Sequence, residues 1–385
     1  MKFKESSKWD HVLLFMVIFL TLIGLVMIYS ASSVASVYDF GDGSFWLKRQ
    51  MIWALLGMFA IFLSMHFPYT KLKKITIPLL FISLFFLGLV LFPGVVREIN
   101  GARRWLRLGP VGFQPSELAI LSLIIFFARS LAERCSRIFT FQNETLKELS
   151  ILGVFFYLIL KQPNLSMALI ICLVYFTMLI GAGTKKRILL LLALLGCLGS
   201  IYFTLSKPYR VRRIVSWWDL EKYKYKGGYH ILQSLTGVGS GGISGLGFGN
   251  SKQKFLYLPE SHTDFIFAIM AEELGFIGTS LVLFIFLLFV HRGLRIALRA
   301  PDRFGFFLAL GLVSFIAFQI LINIGVVLNM FPATGIPLPF ISYGGSAYLM
   351  RAIAVGILLN ISRKATVERE FKPIRLRENP VASCA

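Results

Sequence analysis

The residues best suited to chemistry lie in one segment, Leu258 to Leu274, which reads LPESHTDFIFAIMAEEL. A proline-led polar run ends there in His262, Thr263 and Asp264, and an apolar helix of membrane length follows directly. A carboxylate at the lip of a hydrophobic wall is costly to ionise, so its pKa is easily moved and it suits proton transfer. Capping the helix is the competing use of Asp264, with Ser261 and Thr263 as alternative caps. His262 is either a second proton-transfer group or an interfacial polar side chain. Glu272 and Glu273 follow about two turns deeper, Glu272 offset by about 80° from Asp264 and Glu273 opposite it. Both are expected to face polar partners in a bundle and not lipid.

A second constellation is NGARRWLRLGPVGFQPSEL, Asn100 to Leu118. Arg103, Arg104 and Arg107 surround Trp105, and guanidinium groups bind phosphate oxygens in bidentate fashion. Trp105 suits the headgroup level, and Pro115 suits a first helical turn. The same residues also fit an interfacial anchor in which Glu117 complements a helix N-terminus. Further on, Gly237, Gly239 and Gly242 have dinucleotide-loop spacing, but no strand or βαβ unit precedes them and the match is rejected. That stretch is either a flexible loop or a place where backbones approach closely. Gln319, Asn323 and Asn329, three prolines at Pro332, Pro337 and Pro339, and SYGGS at Ser342 to Ser346 read as a broken, re-entrant segment or a tight turn.

The elements that must position these residues are membrane helices. Of 385 residues, 56% are hydrophobic, and mean hydropathy is +0.73, far above the need of a soluble core. This excludes a soluble domain and predicts an all-α polytopic membrane protein. Ten spans are expected, near residues 11–31, 50–67, 75–92, 115–131, 148–161, 165–183, 187–205, 264–290, 304–328 and 345–362, the fifth short. Lys2, Lys4 and Lys8 ahead of the first resemble a signal peptide, but its length predicts an uncleaved anchor. The reading is one membrane domain over 1–363, with a large extracytoplasmic loop at 206–263 between the seventh and eighth spans and a basic cytoplasmic tail at 364–385.

Lysine and arginine bias places both termini inside, with Lys71, Lys73, Lys74, Arg129, Arg134, Arg137, Lys185, Lys186, Arg187, Arg292, Arg295, Arg299 and Arg303 on the cytoplasmic side. Arg97, Arg103, Arg104, Arg107, Arg210, Arg212, Arg213, Lys222, Lys224, Lys226, Lys252 and Lys254 then fall outside, against the usual rule. Part of the net charge of +21 therefore asks for an anionic ligand on the outer face, a lipid with a phosphate or pyrophosphate headgroup and not nucleic acid. Cys172 and Cys197 fall in spans and Cys135 and Cys384 on the cytoplasmic side, implying no disulfide or metal cluster.

Five ordered motifs, NGARRW, GFQPSEL, GGYHILQSL, GLGFGNSKQKFLYLPESHTDFIFA and GIPLPFISYGGS, cover nearly the whole chain. In them the chain resembles the SEDS family of shape, elongation, division and sporulation proteins, and its FtsW branch more than its RodA branch. The resemblance implies a peptidoglycan glycosyltransferase of the bacterial cytoplasmic membrane, at the division septum, polymerising lipid II into β-1,4 glycan on the outer face. It implies lipid II and the growing lipid-linked glycan as ligands, with a class B penicillin-binding protein transpeptidase and other divisome membrane proteins as partners. Asp264 matches the family's essential aspartate, and Glu117 the acid of its fourth helix. Asp264 is then general base, or ligand to a divalent cation such as Mg2+ or Mn2+, with no organic cofactor. Substrate contacts fall to Arg103, Arg104, Trp105, Arg210, Arg212, Arg213, His262, Ser342 and Ser346. Two positions depart from the family pattern: Ile120 stands where a lysine is common, and Asn164 where the family has an aspartate. A lipid II flippase and a RodA-like elongation polymerase are the alternatives.

Overall fold

A computed structural model describes residues 9–92, 96, 104–108, 111–134, 143–223 and 227–371. The described chain is helical apart from one small hairpin, with elements α1 (His11–Phe40), α2 (Phe45–His66), a 3-10 turn (Tyr69–Lys71), α3 (Leu72–Leu91), β1 (Leu106–Leu108), β2 (Val111–Phe113), α4 (Pro115–Arg134), α5 (Asn143–Lys161), α6 (Leu165–Gly181), α7 (Lys186–Leu205), α8 (Pro208–Trp218), α9 (Tyr229–Gly241), α10 (Ile266–Leu298), α11 (Arg303–Val327) and α12 (Gly345–Phe371). Eight helices among the described residues are long and apolar enough to cross a membrane. The 17-residue α6 is apolar but shorter, and the 19-residue α5 begins with the charged run Glu144 to Glu148.

Burial sorts these helices into a centre and a rim. The apolar windows of α4, α11 and α12 are 72%, 78% and 89% buried, whereas that of α7 is 0% buried. Lipid tails are as apolar as leucine, so close packing holds such helices together. Gly57 on α2 faces the Tyr348 ring, and Gly356 on α12 faces Ser64, with no room for a further carbon at either contact.

One end of the bundle collects the basic segments read as cytoplasmic. Lys73 lies 3.9 Å from Asp302, Arg129 donates to the Lys73 carbonyl, and Arg292 pairs with Asp10 at 3.5 Å. The helix α12 runs on to Phe371, past the expected start of the tail, and residues 372–385 lie outside the described residues.

Between α7 and α10 the long loop is structured by α8 and α9. Trp217 Nε1 donates to the Asn329 carbonyl (2.9 Å), and Ser234 Oγ donates to the Val327 carbonyl (2.9 Å), docking both helices on the break after α11. The glycine-rich stretch proves to be a place of close backbone approach. Gly275 interrupts α10 at φ 66°, and the loop supplies the bonds that the helix loses there. Leu246 and Gly247 N–H donate to the Glu272 and Glu273 carbonyls, while Phe276 and Ile277 N–H donate to the Gly242 and Ile243 carbonyls, at 2.9 to 3.1 Å. A kink at membrane depth is tolerated when its freed groups find partners in this way.

Candidate active site

The turn carrying Asp264 is built by local bonds. Thr263 and Phe265 N–H both donate to the Glu260 carbonyl, and Thr263 Oγ1 donates to Glu260 Oε2 (2.8 Å). Ser261 Oγ donates to the Ala31 carbonyl of α1 (3.0 Å). The N-cap of α10 is Phe265 and has no side-chain cap bond, so Asp264, Thr263 and Ser261 do not cap it. The competing structural use of the Asp264 carboxylate is thereby removed.

Asn323, buried on α11, fixes this turn to the broken segment. Its Nδ2 donates both to the Asp264 carbonyl and to the Ile336 carbonyl, each at 2.8 Å. Across a gap at Gly335, Asp264 Oδ2 and Arg104 Nη1 approach one point, 3.6 and 3.9 Å from where a Cβ on that glycine would stand. Any larger residue at position 335 would project into the space that the acid and the guanidinium share.

Burial pushes the Asp264 carboxyl up to about 7, and neighbouring Glu260 pushes the same way against the pull of Arg213 and Arg104. Asp264 keeps some solvent exposure. Burial, with Arg213 nearby, pushes the Arg104 guanidinium down from its usual range. Arg104 and Arg213 thus both place positive charge near Asp264.

The arginines read from sequence divide. Arg104 Nε donates to the Gln162 carbonyl (3.1 Å) and its Nη2 to the Pro163 carbonyl, ending α5 while Nη1 faces the gap. Arg213 on α8 is exposed and makes one 3.2 Å bond to the Ala333 carbonyl. Arg212 is exposed on the same helix. Arg210 is buried, donating to the Phe203 carbonyl (2.7 Å) and Tyr209 Oη (2.9 Å), so its side chain closes the end of α7. Arg103 lies outside the described residues. Trp105 packs on Gly112 across the hairpin.

The remaining expected site residues each have partners within the frame. The His262 ring stacks on Trp46 with centroids 5.0 Å apart and leans on Tyr343, while its carbonyl accepts from Tyr343 N–H (2.9 Å). Burial pushes its imidazole down, keeping it neutral. Ser342 Oγ accepts from Leu338 N–H (2.8 Å), and Ser346 Oγ accepts from Gln114 N–H (3.2 Å). Glu117 is buried on α4, 3.8 Å from Arg351 of α12. Asn164 caps α6 through its side-chain oxygen, so the uncharged residue at that departure has a local role.

Glu272 and Glu273 do face polar partners, most of them in the loop between α7 and α10. The Glu272 carboxylate accepts from Ser251 Oγ and from the N–H groups of Lys252 (3.0 Å) and Gln253 (3.2 Å). Glu273 accepts from Ser30 Oγ (2.6 Å) and pairs with buried Lys254 at 3.4 Å. Lys254, read as an outward charge, is an internal counter-ion.

Sequence reasoning missed Asn323's grip on Asp264, Gly335, Trp46 and His230. His230 on α9 stacks on Phe265 with centroids 6.2 Å apart, and burial pushes its imidazole down despite Glu260 nearby. The GGYHILQSL motif flagged the segment without giving His230 a role. Among the described residues no group of three or more His, Cys, Asp or Glu gathers into a metal cage.

The family model for cell cycle proteins of the FtsW, RodA and SpoVE type matches residues 10–367. The chain is 44% identical to stage V sporulation protein E of Bacillus subtilis (strain 168), over 94% of this chain and 98% of that protein. It is 42% identical to the probable peptidoglycan glycosyltransferase FtsW of Geobacter sp. (strain M18), over the same shares. Among solved structures, it matches a chain from work described as "Structural coordination of polymerization and crosslinking by a peptidoglycan synthase complex", with TM-score 0.77 and 30% identity, covering 93% of this chain and 98% of that one. The rod shape determining protein RodA of Thermus thermophilus matches with TM-score 0.68 and 30% identity, over 92% and 97% of the two chains.

Proposed function

Because the chain belongs to the FtsW/RodA/SpoVE family of cell cycle proteins, we propose that Asp264 is the general base of a peptidoglycan glycosyltransferase that polymerises a lipid-linked precursor at the bacterial inner membrane. The observation that carries this reading is the carboxyl held near neutrality, free of any capping bond, across a gap from a guanidinium. The reaction needs one base and one group to receive negative charge from the leaving pyrophosphate.

Asp264 takes the proton from the 4-hydroxyl of incoming lipid II as that oxygen attacks the anomeric carbon of the growing, polyprenol-linked glycan. The configuration inverts, a β-1,4 bond forms, and the pyrophosphate leaves towards Arg104 and Arg213. Asp264 and Glu260 also offer the one or two carboxylates through which Mg2+ or Mn2+ is held beside phosphates. An ion bound there would supply further positive charge to the departing group.

The ten helices α1–α7 and α10–α12 are the spans, with both termini in the cytoplasm and residues 206–263 as the outer loop. The gathering of basic segments at the end opposite Asp264 supports this orientation. Of the branches, FtsW fits better than RodA: the FtsW of Geobacter sp. is 42% identical and the solved RodA 30%. A class B penicillin-binding protein transpeptidase is the partner, in line with the synthase complex among the matched structures.

The test is polymerisation of labelled lipid II by the protein purified with such a partner, read as glycan chain length, beside scrambling of the same lipid in liposomes. Polymer from the wild type supports the reading; scrambling without polymer would favour a flippase. The ionised carboxylate is the active form, so the rate rises with pH through about 7. At pH 6 it should stand about tenfold below its plateau, and a profile flat from pH 5.5 to 8 would refute the base role. Arg213→Ala should slow polymerisation about tenfold with little change in melting temperature. Arg104→Ala should lower both, because its guanidinium also closes α5.

A further inference from the structure

A carboxyl and a guanidinium are buried together in the most enclosed part of the bundle, away from the Gly335 gap. Glu117 on α4 and Arg351 on α12 are each 1% exposed, with Oε1 and Nη2 3.8 Å apart. Arg351 Nε donates to Gln319 Oε1 on α11 (2.8 Å), so the group joins the three most buried helices. Glu117 Oε2, Ser116 Oγ and Gln319 Nε2 are buried there without hydrogen-bond partners among the described residues. Removing one member of such a pair strands the other charge in an apolar interior.

The pair sits just below a junction that places both halves of the active site. Three residues before Glu117, Gln114 N–H donates to Ser346 Oγ at the head of α12. From there the β2–β1 hairpin, with Leu106 opposite Phe113, leads back to Arg104. On the α12 side, Tyr343 N–H donates to the carbonyl of His262, two residues before Asp264. A shift of α4 against α12 would therefore move Arg104 relative to Asp264.

We infer that Glu117 and Arg351 form a charge clamp between α4 and α12, and that Arg351 is a positioning residue for the reaction through Glu117. What the clamp requires is a cation beside Glu117, whichever helix supplies it. Ile120 is fully buried on α4 three residues beyond Glu117, and residues at that spacing are neighbours on one helix face. A lysine placed there can reach the same carboxylate.

The activity arm of the test rests on the glycosyltransferase reading; the melting arm does not. Wild type, Arg351→Met and Ile120→Lys/Arg351→Met are purified with the transpeptidase partner and compared for lipid II polymerisation and for melting in detergent. Arg351→Met should lower the melting temperature and slow polymerisation about tenfold or more. The double variant should recover melting and bring the rate back to within about threefold of wild type. A purely space-filling arginine would be served by methionine, and a new charge at position 120 would only add harm.

The clamp is overturned if Arg351→Met stays within about twofold of wild type, if the relocated lysine restores neither quantity, or if it restores melting alone. Absence of polymer from the wild type would overturn the glycosyltransferase reading instead. The melting temperatures would then decide whether the cation is interchangeable between helices.

Discussion

Asp264→Asn is expected to reduce glycan polymerisation by about 10²- to 10⁴-fold, the range for loss of a general base, while the protein continues to fold. The substitution keeps the shape of the side chain and removes its ability to accept a proton. It disturbs little of the frame, because the turn is held by backbone atoms: the Asp264 carbonyl binds Asn323, and the Glu260 carbonyl binds Thr263 and Phe265. The carboxylate caps no helix, so the variant loses no structural bond of that kind.

Stability separates this loss from unfolding. A carboxyl whose folded-state pKa is raised from 3.8 to about 7 favours the fold fully below the unfolded value, and that contribution is lost as pH rises through 7. At pH 8 the wild type holds an ionised acid in an unfavourable place, which asparagine avoids. Asp264→Asn should therefore melt no lower than wild type at pH 8. A variant that polymerises at the wild-type rate would remove Asp264 from the chemistry.

Gly275→Ala is expected to cost at least about 3 kcal/mol of stability, through the coupling of α10 to the loop that precedes it. Gly275 stands at φ 66°, and a Cβ there would lie 2.2 Å from the Gly245 nitrogen, a backbone atom that cannot swing aside. Gly245 has the reciprocal problem, at φ 81° with a Cβ 2.2 Å from the Glu273 carbonyl oxygen. Separating the two segments would break the four bonds that replace the helix's own, leaving buried backbone groups unpaired. It would also draw residues 251–254 away from Glu272 and Glu273, loosening the loop that ends in Asp264. The expected result is a low yield of monodisperse protein and a much lower melting temperature in detergent. Wild-type melting would mean that the kink can be straightened without cost.

Sequence alone determined what its physics makes local. A run of apolar residues reads as a span wherever it lies, since lipid imposes the same demand on each. The lip position of Asp264 and the clustering of arginines in sequence also followed from neighbouring residues and charge bias. The face opposed to Glu273 was legible as polar, but not that Lys254 would supply the charge.

Tertiary structure decided what depends on contacts distant in sequence. Capping competed with proton transfer as the use of Asp264 until Phe265 proved to be the N-cap. Nine arginines and lysines of similar appearance in the long loop had different fates, with Arg213 facing the site, Arg210 ending α7 and Lys254 buried in an ion pair. The isoleucine at position 120 left Glu117 without an evident partner on its own helix, and Arg351 supplies one from 234 positions away. A helix face is written in a period of 3.6 residues and can be read from one segment. A buried charge needs only a partner within a few ångströms, which no periodicity records, and only the packing of α4 against α12 brings that partner into place.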